Sequence, residues 1–181
     1  MKKFELTAEF VTNVFGKKLF RIKALVAFGN VEKGELGGFI EKEDNLSHGG
    51  NAWVFGNARV SGDAWVSGDA RVSGNAQVFG NAQVSGNAQV SGDARVSGNA
   101  QVFGNADYAV VTGFGRYFRA TTFFRCKDKI LRIQCGCFYG DLAQFREIVK
   151  KTHGDSKYAK EYLAIADLME LHFSDECGGE Q

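Results

Sequence analysis

The stretch Ala52-Trp53-Val54-Phe55-Gly56-Asn57-Ala58-Arg59-Val60-Ser61-Gly62-Asp63 sets a pattern, Ala-x-Val-Ser/Phe-Gly-Asn/Asp, that runs unbroken to Ala106. Valine returns at every sixth residue, at Val54, Val60, Val66, Val72, Val78, Val84, Val90, Val96 and Val102. A fixed internal period outranks every other signal in a chain. Within each unit Ala and Val alternate with x, so on an extended strand they share one face and x takes the other. The small apolar face must turn inward. Glycine followed by Asn or Asp then supplies a corner, because glycine accepts positive φ and Asn or Asp hydrogen-bonds its own backbone. Each hexapeptide is therefore one short strand and one corner, and a valine register that never slips excludes low-complexity disorder.

Three units close a triangular coil, so residues eighteen apart in the sequence stack at about the 4.8 Å strand spacing. The nine units give three coils whose outer positions form the columns Trp53–Arg71–Gln89, Arg59–Gln77–Arg95 and Trp65–Gln83–Gln101. No face is a threonine array, which excludes an ice-binding surface. Trp53 and Trp65 are read as contacts to a cap or a neighbouring protomer, and secondarily as ligand platforms. With Val54 at its aliphatic position and Ala58 following, the repeat resembles the hexapeptide-repeat proteins. That resemblance implies a left-handed parallel β-helix and a homotrimer built through its faces.

The remaining chain supplies both ends. Phe4 to Phe10 and Leu19 to Val26 are strand-like, and Ile40 and Leu46 fall in the alanine register of a degenerate opening turn. Residues 1–50 are expected to cap the first coil, whose unpaired backbone would otherwise invite polymerisation. The β-helix occupies 51–107 and an α+β module 108–181. In that module a hairpin spans 116–138. With Asp128-Lys129 as a two-residue turn, Phe124 faces Ile133, Cys126 faces Leu131, and Arg125 meets Arg132 on the other side. Helices are predicted over 141–153 and 156–173, with Asp141 and Ser156 as N-caps and Gly154 as a C-terminal stop. They are expected to pack over the hairpin's apolar face, and Cys177 to Gln181 to form a frayed tail. The fold class is thus mainly β.

Composition narrows the function. Twenty-two basic residues against 21 acidic ones leave a net charge of +1, so no duplex nucleic-acid partner is expected. No stretch approaches the roughly 20 apolar residues of a membrane span. The basic start Met1-Lys2-Lys3 lacks the apolar run of a secretory signal. Cys126, Cys135, Cys137 and Cys177 avoid the repeat, where covalent stapling would be expected, which fits a reducing cytoplasm.

The segments Gly34 to Ile40, Asn45-Leu46-Ser47, Gly50 to Val54, Thr121 to Arg125, Cys135-Gly136-Cys137-Phe138 and Thr152-His153-Gly154-Asp155 together resemble hexapeptide-repeat proteins of bacteriophages and prophages. The resemblance implies a bacterial host cell and hands over no catalytic residue. The solenoid alone also resembles hexapeptide acyltransferases, which need a histidine base beside a coil and usually an extruded loop. Only His48 approaches the repeat, and no loop interrupts it. The Cys135-x-Cys137 pair with Cys126 falls short of a zinc set, and Gly113-Phe114-Gly115 lacks the context of a nucleotide fingerprint, so neither metal nor cofactor is expected.

The hairpin carries the candidate site. Arg116, Tyr117, Arg119, Thr121, Phe123 and Arg125 on one strand, with Arg132 and Gln134 on the other, make an arginine-aromatic face, and Lys127 and His153 stand as secondary candidates. Facing arginines repel unless an anion lies between them. Guanidinium forks suit phosphate, and rings suit a base. The expectation is a non-enzymatic binding protein that sequesters an anionic small molecule, a nucleotide-type defence signal, or a host protein. An acyltransferase using His48 and a structural assembly module are the alternatives.

Overall fold

Each x-Val pair of the repeat forms a two-residue strand: β4 (Trp53–Val54), β5 (Arg59–Val60), β6 (Trp65–Val66), β7 (Arg71–Val72), β8 (Gln77–Val78), β9 (Gln83–Val84), β10 (Gln89–Val90), β11 (Arg95–Val96) and β12 (Gln101–Val102). This computed structural model describes residues 1–174, and the tail expected over Cys177 to Gln181 lies outside the described residues. Strands stack in parallel with Val54 on Val72 on Val90, Val60 on Val78 on Val96, and Val66 on Val84 on Val102. The three walls of a β-solenoid result. Every repeat Ala and Val from Ala52 to Val102 is buried in one interior. At the corners, Gly56 to Gly98 hold φ between 59° and 72°, the left-handed region that a Cβ disfavours.

The solenoid begins earlier than the regular repeat. Three strands precede it, β1 (Phe4–Thr12), β2 (Lys18–Ala24) and β3 (Leu36–Ile40), and β3 pairs in parallel with β5. Ile40 stacks on Val60 and Leu46 on Val66, so both occupy the valine register and not the alanine register expected for them. The offset there is twenty residues, against eighteen from Trp53 onward, and the two extra residues lie in the corner between Leu46 and Trp53. With this coil the solenoid has about four turns. The β1–β2 hairpin continues one wall past the first coil, in the order β1-β2-β3-β5-β8-β11. Phe4, Ile22, Ala24 and Val31 plug the interior at that end. Polar side chains satisfy the edge: Asn45 Nδ2 donates to the carbonyls of Gly62 and Ala64 (3.0 and 2.8 Å), and Glu41 accepts from the Gly62 N–H at 2.7 Å.

The other end carries a four-stranded antiparallel sheet, β13 (Tyr108–Val111), β14 (Thr121–Arg125), β15 (Leu131–Cys135) and β16 (Phe138–Asp141), where a two-stranded hairpin was expected. Its register is one residue away from the expected one. Phe123 faces Ile133, Phe124 faces Arg132, and Arg125 faces Leu131. The cause is the turn: Cys126 N–H bonds to Ile130 C=O, leaving the three-residue loop Lys127-Asp128-Lys129, with Lys129 at φ 62°. Each face therefore packs differently from the prediction. Phe124 and Cys126 close the solenoid interior, while Phe123 and Ile133 meet α1 (Leu142–His153) and α2 (Lys157–Phe173). Asp141 and Ser156 cap the helices by accepting from Gln144 N and Ala159 N, and Gly154 ends α1.

A candidate ligand groove on one solenoid wall

The register decides where the predicted site residues go. Phe123 is fully buried and Thr121 is 2% exposed, with Thr121 Oγ1 donating to Cys135 Sγ at 3.2 Å. Neither can meet a ligand from solvent. Arg125 donates to the Phe173 carbonyl (3.1 Å) and lies 3.9 Å from Asp107, while Arg132 pairs with Asp128 at 2.8 Å. The repulsion expected between Arg125 and Arg132 does not arise, because they do not face one another. Gln134 is buried, accepting from Ser97 Oγ and donating to the Gly136 carbonyl. Together with the Arg95 N–H donating to Thr122 Oγ1 at 2.9 Å, this docks the sheet onto the last coils. The continuous face proposed from sequence is therefore divided: its centre is core, and its two ends are separate.

Among the secondary candidates, Trp53 is fully buried beneath Phe4 and Phe28, with ring centroids 6.2 and 5.3 Å away, which excludes it as a ligand platform. Trp65 is 44% exposed. Lys127 is exposed at the hairpin tip, its N–H held by the Asn99 carbonyl. His153 lies at the end of α1, stacked on Tyr162 at 5.8 Å. His48 is built into the cap: its ring stacks on Phe4 at 4.3 Å, its Nδ1 accepts the Lys3 N–H at 3.2 Å, and its Nε2 faces Glu43 at 3.8 Å.

Arg116, Tyr117 and Arg119 remain exposed, on the loop joining β13 to β14. Tyr117 has the Arg116 and Arg119 guanidiniums over its ring at 5.6 and 5.0 Å. Phe118 holds φ 52°, a conformation that disfavours a side-chain-bearing residue, and it is 71% exposed. An aromatic ring left open in a strained turn is a feature worth a functional reading.

This loop borders a groove that sequence reasoning missed. Its floor is the column Arg59–Gln77–Arg95 on the wall β5-β8-β11. One half, about 570 Å³, lies between Gln77, Arg95, Tyr117, Phe118, Arg119 and Cys137. The other, about 340 Å³, runs from Arg95 past Gln77 to Arg59 and the tip of the β1–β2 hairpin, where Val14 and Phe15 are 94% and 78% exposed. Both halves share Gln77, Arg95, Gly136 and Cys137, so they form one cleft. Gly136, at φ 58°, keeps space for Arg119, since a Cβ there would stand 2.9 Å from its Nη1.

Charge distinguishes this cleft from the rest of the surface. Arg21, Arg125, Arg132 and Arg146 each face a carboxylate. Among the described residues, Arg59, Arg71, Arg95, Arg116 and Arg119 make no ion pair, and all but Arg71 border the cleft or the loop beside it. One carboxylate, Asp93, also lines it and accepts from Asn75 Nδ2 at 3.1 Å. The sequence signal for the floor is two arginines in one column with glutamine between them. The repeat's columns carry that signal, but nothing in the pattern says which wall the end modules overhang.

Comparison with known families matches the repeat to the YdcK beta solenoid repeat over residues 52–68, 64–80, 70–86, 76–92, 82–97 and 88–104. No curated protein matches the chain. The match and the coordinates together make this a β-helix repeat protein. Among the described residues, no helix is long and apolar enough to cross a membrane.

Proposed function

We propose that this chain is a non-enzymatic binding protein that captures an anionic small molecule carrying a planar ring, of the nucleotide type, in the groove over Arg59, Gln77 and Arg95. The observation that carries the reading is the convergence of arginines without carboxylate partners with open aromatic rings. Arg59, Arg95 and Arg119 line the cleft, Phe15 stands at one end, and Tyr117 and Phe118 at the other. Guanidinium forks recognise phosphate oxygens, and exposed rings offer stacking surface to a base. The floor arginines stand two rungs apart, about 9.6 Å at the strand spacing, which favours an elongated ligand with negative charge at separated points.

His48 weighs against an acyltransferase, since its Nδ1 and ring are engaged in holding the N-terminal cap. A homotrimer is part of the proposal, through the wall β6-β9-β12, where Trp65 and Phe103 are 44% and 48% exposed. So is the bacterial cytoplasm of a phage-infected host, in which the ligand would be a defence signal withheld from its receptor; this setting rests on the sequence resemblance. Isothermal titration of the intact chain with mononucleotides, dinucleotides and cyclic nucleotides tests the reading. Binding that Arg95→Gln and Arg119→Gln each weaken by about tenfold is expected. Absence of binding to every nucleotide, or binding indifferent to both substitutions, overturns it; in the first case, a host protein retained from infected cells would become the occupant to pursue.

A further inference from the structure

The loop that walls the groove has a second side. There, between the sheet and the helices, lies a separate cavity of about 220 Å³ whose walls include Phe138, Phe145, Ile148 and Val149. We infer that this cavity is a second ligand site, for a small organic acid with an apolar body, its carboxylate held by Arg116 and Arg119 at the mouth.

Size and lining fix the body of the ligand. A void of roughly 150 Å³ accepts one benzene ring, so this one takes a single ring or a short branched chain with a substituent. A hydrated polyphosphate would lose water to the phenyl and aliphatic walls, where Thr152, His153 and Tyr162 return too few hydrogen bonds to replace its hydration. The mouth fixes the head group. Arg116 and Arg119 make no ion pair among the described residues. Glu161, the acid that contacts this loop, already accepts the Gly115 N–H at 2.9 Å and lies 3.5 Å from Lys157. A carboxylate entering here finds two forked donors, each stacked on the Tyr117 ring, without breaking an ion pair among the described residues.

The cavity is preformed. Gly115 runs at φ 72°, and a Cβ there would collide with the Tyr162 hydroxyl, so the loop lies directly on the helix layer. Burial, with Cys135 beside it, pushes the Tyr162 hydroxyl up to about 12, and it remains a donor at neutral pH. The groove on the far side shares Tyr117 and Arg119 with this cavity. The two sites differ in shape and charge, one elongated with arginines along its floor, the other short with a largely apolar body, and this inference does not rest on the groove's ligand.

Two thiols report the sites separately, because Cys135 lines the cavity and Cys137 lines the groove. The experiment follows alkylation of Cys135 in a Cys137→Ser chain, with peptide mapping, as benzoate is added. Benzoate is expected to slow alkylation of Cys135 saturably. Arg116→Gln and Arg119→Gln should each weaken that protection by about tenfold, and Ile148→Trp, which enlarges a wall residue that is 38% exposed, should abolish it. Circular dichroism melts of the variants that match the parent keep a folding defect from imitating the result. Equal protection by benzyl alcohol would show that the arginines read no charge, and equal protection by inorganic phosphate that the walls read no ring. Either overturns the inference, as does benzoate without effect. Nucleotide protection of Cys137 in a Cys135→Ser chain reads the groove independently, so failure of one site leaves the other standing.

Discussion

The Lys3 ammonium donates to the Ala52 carbonyl at 2.8 Å, with the Gly50 carbonyl at 3.4 Å and the Phe28 ring 4.6 Å from the nitrogen. A lysine thus satisfies backbone oxygens at the corner leading into the first regular coil, and it is only 3% exposed there. Burial lowers its pKa from 10.5 to about 8. The unfolded chain therefore holds more protons between those values, so stability rises with pH across the window and the penalty is complete below it. Chemical denaturation of the native chain between pH 8 and 10.5 should show a gain that Lys3→Met lacks; the difference is at most about 3 kcal/mol. Parallel pH profiles for the two chains would assign the effect to another group.

Corner glycines of the same conformation should differ in how much they tolerate a side chain. Gly86 and Gly92 hold φ of 61° and 66°. A Cβ at Gly86 would collide with the Phe103 carbonyl of the next coil, whereas one at Gly92 meets nothing within 4 Å. Gly92→Ala should cost about 1–2 kcal/mol from backbone conformation alone. Gly86→Ala should cost measurably more in thermal or urea unfolding, because the stack itself must open.

Phe124 stoppers the solenoid at its C-terminal end, fully buried in the same cluster as Val102 and Ala100. Phe124→Ala should lose about 3–5 kcal/mol. Light scattering should also detect concentration-dependent association as the last coil's edge is uncovered. A variant that melts earlier but stays monodisperse would mean that β14 still covers that edge.

Charge on the solenoid walls offers an internal control for the groove. Arg71 and Arg95 both occupy outer repeat positions, but only Arg95 lines the cleft. Arg95→Gln and Arg59→Gln should each weaken nucleotide binding by about tenfold and flatten its salt dependence. Arg71→Gln should change neither, as read by titration at two ionic strengths.

The parts legible in the sequence are those dictated by local repetition. The Ala-x-Val alternation fixed an inner face at every unit, and Gly with Asn or Asp fixed every corner. The C-terminal sheet resisted the same reasoning because both its faces are buried. Phe123 and Phe124 are adjacent and both fully covered, one by helices and one by the solenoid, so alternation carried no information about register. The turn decided it, through Lys129 at positive φ, a choice the residues Lys127-Asp128-Lys129 do not announce. Ile40 and Leu46 were misplaced for a related reason: two inserted residues at a corner change a strand's position in the stack without disturbing its hydrophobicity. Of the candidate site, Tyr117 and Arg119 are legible in the sequence as an arginine-aromatic pair, and both line the groove. Arg59 and Arg95 are not, since their role follows from what the two ends of the chain lay beside them.

One consequence follows from building a cleft across stacked coils between two fixed overhangs. The coils act as a ruler. Removing or duplicating eighteen residues at a corner would preserve the inner register while moving the hairpin tip and the aromatic loop closer or farther by one rung, about 4.8 Å. Ligand length would then be selected by how many times a single short phrase of sequence is repeated, with the two overhangs that close the cleft left unchanged.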